Sequence, residues 1–231
     1  MAILKKKFNP MTAKKAHEGT ILASGVVPEG LKAPFEHAYG YLLNEQTMAG
    51  HAHETDEIYI VLEGTGYVTV GGKNRKVSAG DVVAIPPNVW HTMMCTEADE
   101  APFLWAALWW PHICTEKTFT EEISVKRFDK NTAYKAHKDT ILADRVVPPE
   151  LKAPFSHQYG YLTKGNTMEL HKHPADEIYI VYSGEAYVTV GDETEIAGPG
   201  DVIAIPPDIL HTMTAKSNEV IWAALWWEHQ D

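Results

Sequence analysis

The sequence is poor in the features that mark secreted and membrane proteins. It has only two cysteines among 231 residues, Cys95 and Cys114, which is too few for a disulfide framework. Its longest apolar run, FLWAALWW at 103–110, is far shorter than the roughly 20 residues that a spanning helix needs. The first residues, MAILKKKFNP, contain no apolar segment long enough for a signal peptide. We therefore expect a cytoplasmic protein that does not enter a membrane.

Positive charge is also scarce in this chain. Lysine and arginine number 20 against 31 aspartates and glutamates, so the formal net charge is −11 at pH 7. An acidic surface repels the phosphate backbone of nucleic acids, and no basic tract interrupts this surface. The charge balance therefore argues against nucleic acid as a partner.

Long stretches with helical periodicity are absent as well. Short runs rich in Ile, Val, Tyr, Thr and Trp alternate with Gly, Pro, Asn and Asp, which is typical of strands and turns. These runs are EIYIVLEG, YVTVGG, DVVAIPP, HTMMC and FLWAALWW. Such spacing favours an all-β sandwich or barrel. The only helix-like pieces are short, at 12–17 and 132–137, and we expect His17 and His137 within them to be structural residues.

The sequence repeats itself at a long interval. AHEGTILASGVVP, which begins at Ala16, aligns with AHKDTILADRVVP, which begins at Ala136 (136 − 16 = 120). Solenoid repeats are much shorter, with roughly 20–50 residues each, so this period indicates a duplicated domain. We predict an N-terminal domain at 1–110, a polar linker at 111–123 and a C-terminal domain at 124–231. We expect the two domains to pack face to face.

Each copy carries a pattern of histidines and a carboxylate that indicates a metal site. Two histidines lie two residues apart, a glutamate follows, and a third histidine comes after the next strand and turn. Residues two apart on a strand share a face, so the paired imidazoles point the same way. The glutamate is either a ligand or a residue that orients one. The sets are His51, His53, Glu57 and His91 in the first copy, and His171, His173, Glu177 and His211 in the second.

The donor atoms in these sets limit which metal ions could bind. Nitrogen and oxygen donors together suit transition metals and suit calcium or magnesium poorly. The alternative is that these are ordinary surface or core histidines. Both copies keep the whole set while neighbours such as Glu54 and Pro174 differ, which argues against that alternative. We predict one divalent transition metal (Fe, Mn, Zn, Ni or Co) in each domain.

Other shared residues are candidates for the pocket around the metal. The segments HAYGYL and HQYGYL begin with His37 and His157. A histidine that does not bind the metal could serve as a general base, because its pKa lies near working pH. It could equally be a structural histidine bonded to the backbone. Tyr59 and Tyr179 share a strand face with the two glutamates, so we include them with the two histidines as candidate catalytic residues.

The spacing of these residues resembles the two motifs of the cupin superfamily, G-x5-H-x-H-x3/4-E-x6-G and G-x5-P-x-G-x2-H-x3-N. The matching residues are His51, His53, Glu57, Gly64, Gly80, Pro86 and His91 in the first copy, and Gly165, His171, His173, Glu177, Gly184, Gly200, Pro206 and His211 in the second. The departures are Glu45 for the leading glycine, Asn88 and Asp208 for the second-motif glycine, and Cys95 and Ala215 for the final asparagine. The resemblance implies a bicupin: two tandem jelly-roll β-barrels, each holding a metal with three histidines and a glutamate.

The resemblance also implies a class of function. It suggests a metal-dependent enzyme in which the metal chelates a small oxygenated substrate, and it slightly favours a dioxygenase such as those acting on flavonols or gentisate. A non-redox isomerase, decarboxylase or lyase is the alternative within the family. A non-catalytic protein that binds a small ligand is the alternative from another class. Both a monomeric bicupin and a homodimer fit the sequence.

Overall fold

The structure is a computed structural model that describes residues 3–113 and 122–229. These residues form strands and turns without any helix, and none of them could therefore supply a helix able to cross a membrane. The strands of the N-terminal copy are β1 (Lys5–Lys6), β2 (Lys14–Ala16), β3 (Ile21–Ser24), β4 (Glu36–Leu42), β5 (Gln46–Thr47), β6 (Thr55–Glu63), β7 (Thr65–Val70), β8 (Lys73–Ser78), β9 (Val82–Ile85), β10 (His91–Cys95) and β11 (Phe103–Pro111). Those of the C-terminal copy are β12 (Val125–Lys126), β13 (Tyr134–Ala136), β14 (Ile141–Asp144), β15 (Ser156–Thr163), β16 (Ala175–Ser183), β17 (Ala186–Val190), β18 (Glu193–Ala197), β19 (Val202–Ile205), β20 (His211–Ala215) and β21 (Glu219–Glu228).

The strands build two β-barrels, each from a large and a small antiparallel sheet. In the N-terminal barrel the seven-stranded sheet has the order β12-β9-β6-β11-β4-β3-β2, and the smaller sheet has the order β5-β10-β7-β8. In the C-terminal barrel the corresponding orders are β1-β19-β16-β21-β15-β14-β13 and β18-β17-β20. The prediction of an all-β chain with two tandem jelly-roll barrels is confirmed.

Local sequence explains the strands of the small sheets. Buried and more exposed residues alternate along β7, as expected for a strand with one face toward the barrel interior. Gly71 and Gly72 connect β7 to β8 with φ angles of 58° and 81°. Two residues of positive φ form the hairpin turn whose twist matches the flanking strands, and glycine adopts that conformation readily.

The two barrels share a hydrophobic core, as expected from face-to-face packing. Central strands β6 and β16 are buried along nearly their whole length, because one face lines a barrel and the other contacts the opposite barrel. Phe35 and Phe155 meet across this core with ring centroids 4.8 Å apart. The indole nitrogens of Trp110 and Trp227 donate hydrogen bonds to backbone oxygens of the opposite copy, at 2.9 and 2.8 Å.

The first strand of each copy belongs to the sheet of the other copy. Strand β1 pairs with β19, and β12 pairs with β9. The residues just before these strands also pack in the barrel of the other copy: Ile3 lies inside the C-terminal barrel and Ile123 inside the N-terminal barrel. The predicted boundaries at 110 and 124 therefore describe the sequence repeat, whereas each barrel includes a short segment from the other copy. Residues 114–121 of the predicted linker, with Cys114, lie outside the described residues.

The prediction of helix-like pieces at 12–17 and 132–137 is wrong. Each segment makes a single turn, in which Thr12 and Ala13 donate to the Asn9 oxygen, both at 3.2 Å, and Thr132 and Ala133 repeat the pattern with Asp129. The chain then enters edge strands β2 and β13, which pair with β3 and β14. One turn is too short to propagate as a helix. The backbone groups that follow it form hydrogen bonds with the neighbouring strand instead.

Candidate metal centres

Three imidazoles meet inside each barrel. In the N-terminal barrel the backbones of His51 and His91 exchange two hydrogen bonds. The nitrogen-to-oxygen distances are 3.1 and 2.9 Å. One ring nitrogen from each of His51, His53 and His91 lies within 4.8 Å of the other two. His171, His173 and His211 form the same group in the C-terminal barrel. The structure therefore brings together all six histidines that the sequence analysis assigned to metal sites, although their role as ligands stays a prediction.

The protonation of His91 and His211 favours a cation at these points. His91 Nδ1 lies 2.9 Å from the backbone oxygen of Val89, and His211 Nδ1 lies 2.9 Å from that of Ile209. A carbonyl oxygen only accepts, so Nδ1 carries the proton and Nε2 presents a lone pair in the neutral ring. Both Nε2 atoms are buried without a hydrogen bond. Buried polar atoms normally have partners, and three converging imidazoles fit a transition metal as the missing one.

A buried glutamate lies beside each group of nitrogens. Glu57 Oε2 is 3.0 Å from His53 Nε2 and 3.4 Å from His91 Nε2. Glu177 Oε2 has the equivalent partners, His173 Nε2 at 3.1 Å and His211 Nε2 at 3.2 Å. Burial acts to raise the pKa of both carboxyls, but the neighbouring histidines outweigh burial and lower it. Each glutamate is therefore an anion next to the nitrogens. This position fits both alternatives from the sequence, a metal ligand or a residue that orients the ligands.

The electrostatic setting keeps His51 in the form that binds metals. Burial, together with the neighbouring His91 and His17, lowers the pKa of His51 to about 4. The imidazole is therefore neutral at neutral pH, as a metal ligand must be. The hydrogen bond with Glu57 acts in the other direction at His53 and raises its pKa.

A cavity of about 420 Å³ opens beside the N-terminal histidines. His51, His53 and Glu57 form its polar end, while most of its remaining wall is apolar and aromatic. A concave, mostly apolar space with a few converging polar groups is the usual form of a small-molecule site. The apolar and aromatic part of this wall includes Ile21, Ala38, Met48, Tyr59, Trp105 and Trp109.

Tyr59 and Tyr179 lie next to the glutamates, as their positions on the strands predict. Both are almost fully buried, and burial, followed by the charge of Glu57 or Glu177, raises the pKa of each phenol well above its usual value. The phenols therefore stay protonated and can donate a hydrogen bond to the carboxylates. Their catalytic role stays a prediction.

His37 and His157 do not line the cavity, so the general-base prediction needs correction. They lie on strands β4 and β15, where alternation turns them away from the residues that face the barrel interior. His37 Nδ1 accepts a hydrogen bond from the Val26 N–H at 3.0 Å, and His157 Nδ1 has the same contact with Val146 at 3.3 Å. The lone pair that a base needs is already in use. The geometry matches the alternative of structural histidines bonded to the backbone.

His17 and His137 lie closer to the sites than the sequence analysis expected. The ring of His17 is 4.4 Å from that of His51, and His137 is 4.4 Å from His171. Thr20 Oγ1 donates to the His17 oxygen at 2.6 Å and accepts from the Ala49 N–H at 2.8 Å, which ties this turn to the loop before His51. The one sequence signal for this placement was the retention of the histidine in both copies, in AHEGT and AHKDT.

Comparison with known proteins identifies the family. Residues 42–107 and 159–228 each match the family model described as the Cupin domain. Because these stretches make up more than half of the chain, the protein belongs to the cupin family, and the two matched regions agree with a bicupin.

Solved structures and one curated sequence show further similarity. Salicylate 1,2-dioxygenase from Pseudoaminobacter salicylatoxidans, solved as an adduct with gentisate, matches with a TM-score of 0.71 and 14% identity over 97% of this chain and 81% of that chain. A cupin 2 conserved barrel domain protein from Leptotrichia buccalis has a TM-score of 0.67 and 17% identity over 97% of both chains. At such identities the likeness shows the fold alone. An uncharacterized protein of Streptomyces coelicolor is 40% identical over 50 residues, which cover 22% of this chain and 48% of that relative.

Proposed function

We propose that this protein is a metal-dependent enzyme that acts on a small oxygenated organic molecule. It holds one divalent transition ion per barrel, through His51, His53 and His91 in one and through the equivalent histidines in the other. The observation that carries the proposal is the convergence of three imidazoles and a buried carboxylate at the polar end of an apolar cavity. When bound, such an ion supplies a Lewis acid that polarises oxygen groups of the substrate.

The surrounding residues have distinct roles in this proposal. The apolar side chains of Ile21, Met48 and Trp105 contact the carbon skeleton of the substrate and keep water away from the polar end. Glu57 is an anion beside two imidazoles, so it balances part of the positive charge of an ion. Tyr59 donates its hydroxyl proton to a hydrogen bond with Glu57 and so fixes that carboxylate.

Within this class we propose a dioxygenase that acts on an aromatic hydroxy acid or a related planar substrate. Tyr59, Trp105 and Trp109 give the cavity an aromatic wall, which suits a flat ring. The fold is similar to that of a salicylate 1,2-dioxygenase whose structure contains gentisate, and this likeness supports the choice. The Lewis-acid role alone would equally serve a non-redox isomerase, decarboxylase or lyase, so oxygen consumption is the deciding observation.

The test measures bound metal and oxygen uptake on the same preparation. The protein is purified without added metal, its metals are quantified by mass spectrometry, and oxygen consumption is followed with gentisate, salicylate, catechol, a flavonol and a β-diketone. The His51→Ala/His171→Ala double variant is the control for metal dependence. Metal-dependent oxygen uptake supports the dioxygenase. Turnover without oxygen replaces it with a non-redox enzyme, and ligand-induced thermal stabilisation without turnover favours a binding protein. Absence of bound metal contradicts the whole proposal.

A further inference from the structure

We infer that the two barrels are not equivalent: the N-terminal barrel holds the substrate site, and Gln158 occupies the corresponding space beside the C-terminal histidines. The inference rests on the proposed function and deepens it, because it assigns the substrate to one of two metal centres. It also names position 38, with its counterpart 158, as the position that determines which barrel accepts a substrate.

The two sites differ at very few positions. When each residue that lines the N-terminal cavity is compared with its counterpart, all are identical except two. Ala38 corresponds to Gln158, and Thr55 corresponds to Ala175. Ligands, glutamates, tyrosines and tryptophans are the same in both copies. Any difference in substrate binding that arises within the cavity wall must therefore come from these two pairs.

Gln158 reaches across the space that Ala38 leaves open. Both residues lie at the same register position, since Ala38 pairs with Ala107 on β11 and Gln158 pairs with Ala224 on β21. The Gln158 amide nitrogen lies 3.2 Å from His137 Nε2 and donates a hydrogen bond to it. Ala38 ends at its methyl group, and the cavity of about 420 Å³ lies against it. The amide thus extends beside the second metal centre where the first has room for a ligand.

The difference between Ala38 and Gln158 also changes the hydrogen bonding of the histidine next to each centre, His17 or His137. His17 and His137 have nearly the same backbone, with φ angles of 48° and 50°, and equivalent threonine hydrogen bonds hold both turns. Among the residues that the structure describes, none donates or accepts a hydrogen bond at the His17 ring, whereas His137 Nε2 is bonded to Gln158. The His17 ring is therefore free to bind a polar group of the substrate.

The second pair, Thr55 and Ala175, changes the hydrogen bonding of one candidate metal-binding histidine in each barrel. Thr55 Oγ1 lies 2.7 Å from His53 Nδ1 and so helps to orient this ring. Ala175 has no hydroxyl, and His173 Nδ1 is buried without a hydrogen-bond partner. A partner on the outer nitrogen fixes the orientation of a metal-binding histidine. The reverse holds at the first histidine of each pair, because His51 Nδ1 is buried without a hydrogen-bond partner and His171 Nδ1 lies 2.9 Å from the Glu169 backbone oxygen. Each centre thus has one such nitrogen, so the distinction between the barrels rests on Ala38 and Gln158.

The test moves the amide from one barrel to the other. Wild type, Ala38→Gln, Gln158→Ala and the Ala38→Gln/Gln158→Ala exchange variant are loaded with metal and titrated with 4-nitrocatechol, whose absorbance changes when it chelates a metal. Wild type should bind one equivalent per chain and Gln158→Ala should bind two. Ala38→Gln should bind none, and the exchange variant should again bind one. All four should retain two metal ions, and circular dichroism controls for folding.

The outcomes separate this inference from the proposed function. A wild type without bound metal fails the proposed function itself. A wild type with two ions that binds two equivalents of 4-nitrocatechol, or none, overturns the inference alone. So does an Ala38→Gln variant whose binding equals that of wild type. A crystal structure of Ala38→Gln gives a readout that needs no ligand, because the introduced amide should bond to His17 as Gln158 bonds to His137.

Discussion

At the residue scale, the metal assignment depends on which histidines face the barrel interior. His51 and His171 belong to the groups of converging nitrogens. His37 lies in the same barrel as His51, but its Nδ1 accepts a hydrogen bond from the Val26 backbone N–H. We predict that His51→Ala and His171→Ala each lower the metal content by about one ion per chain, because two imidazoles and a carboxylate hold the ion less tightly. His37→Ala should keep both ions. Metal content after gel filtration is the measurement, and full occupancy in either metal-site variant would contradict the assignment for that barrel.

Single residues also show how far the sequence could predict the site. The spacing of the histidines and glutamates identified both groups, because strand alternation and a turn that recurs in both copies are local properties. Two of the departures from the motif have an explanation in the backbone. Asn88 and Asp208 stand in for glycine with φ angles of 60° and 58°, a conformation that asparagine and aspartate tolerate better than other side chains. The approach of His17 to His51 could not be predicted, because it depends on a turn tied to a distant loop.

At the element scale, a glycine on one strand of each barrel lies directly against a tryptophan on the neighbouring strand. These glycines are Gly40 on β4 and Gly160 on β15. A Cβ atom on Gly40 would lie 2.2 Å from the Trp105 indole, and one on Gly160 would lie 2.1 Å from the Trp222 indole. We predict that Gly40→Ala and Gly160→Ala each lower the free energy of unfolding by about 1–3 kcal/mol, as overpacking typically does. Chemical denaturation measures this effect.

The same pair of variants tests which cavity matters for binding. Trp105 forms part of the cavity wall, so its displacement in Gly40→Ala should also weaken binding of 4-nitrocatechol. Gly160→Ala is the matched control, since it displaces Trp222 in the other barrel. Equal loss of binding in both variants would show that the effect is general destabilisation and not a change in the cavity wall.

The loop between β10 and β11 contains a buried aspartate from which we predict a dependence of stability on pH. Asp99 in this loop is buried and accepts hydrogen bonds from the Thr96 N–H and from Lys76 Nζ, at 2.8 and 2.9 Å. Burial acts to raise the pKa of Asp99, but the contacts with Thr96 and Lys76 outweigh burial and lower it from 3.8 to about 2. The C-terminal barrel lacks this aspartate because its loop is three residues shorter.

This shift predicts how stability depends on pH. Because the folded-state pKa lies below that of the unfolded chain, the ionised carboxylate stabilises the protein fully above pH 4. As the pH falls from about 4 to about 2, this contribution disappears. Asp99→Asn should therefore be less stable than wild type at pH 5–7, and the difference should shrink toward pH 2. Urea unfolding across this range measures it, with exposed Asp192→Asn as the control. A difference that stays constant with pH would contradict the role of the Asp99 charge.

Secondary structure was predicted wrongly at two short edge strands. The strands rich in Ile, Val and Tyr were predicted correctly, because their composition suits a buried sheet whichever strand lies next to them. The segments at 12–17 and 132–137 contain alanine and lysine, which favour helix in isolation. In the folded chain they supply edge strands β2 and β13, whose hydrogen bonds go to β3 and β14. Pairing with the next strand along the chain, in which Ala16 lies opposite Ile21 and Ala136 opposite Ile141, decided their structure.

At the scale of the whole molecule, the duplication in the sequence hides an exchange between the copies. The repeat shows that β1 and β12 are equivalent, but it carries no information on which barrel either strand joins. In the structure β1 extends the sheet of the C-terminal barrel and β12 extends that of the N-terminal barrel. The shared core and the tryptophan hydrogen bonds add contacts that depend on both halves. Non-covalent contacts between the two barrels therefore hold them together, in addition to the covalent connection of the chain.

We predict that cutting the chain between the copies leaves this unit intact. A protease site inserted between residues 113 and 122 allows cleavage after folding, with β12 and Ile123 left on the C-terminal fragment. The two fragments should elute together in gel filtration, because separation would break two strand pairings, expose Ile3 and Ile123, and open the core around Phe35 and Phe155. They should separate in denaturant, as sodium dodecyl sulfate electrophoresis would show. Elution as two folded, independent fragments under native conditions would contradict the exchange, because each barrel would then be complete without a strand from the other copy.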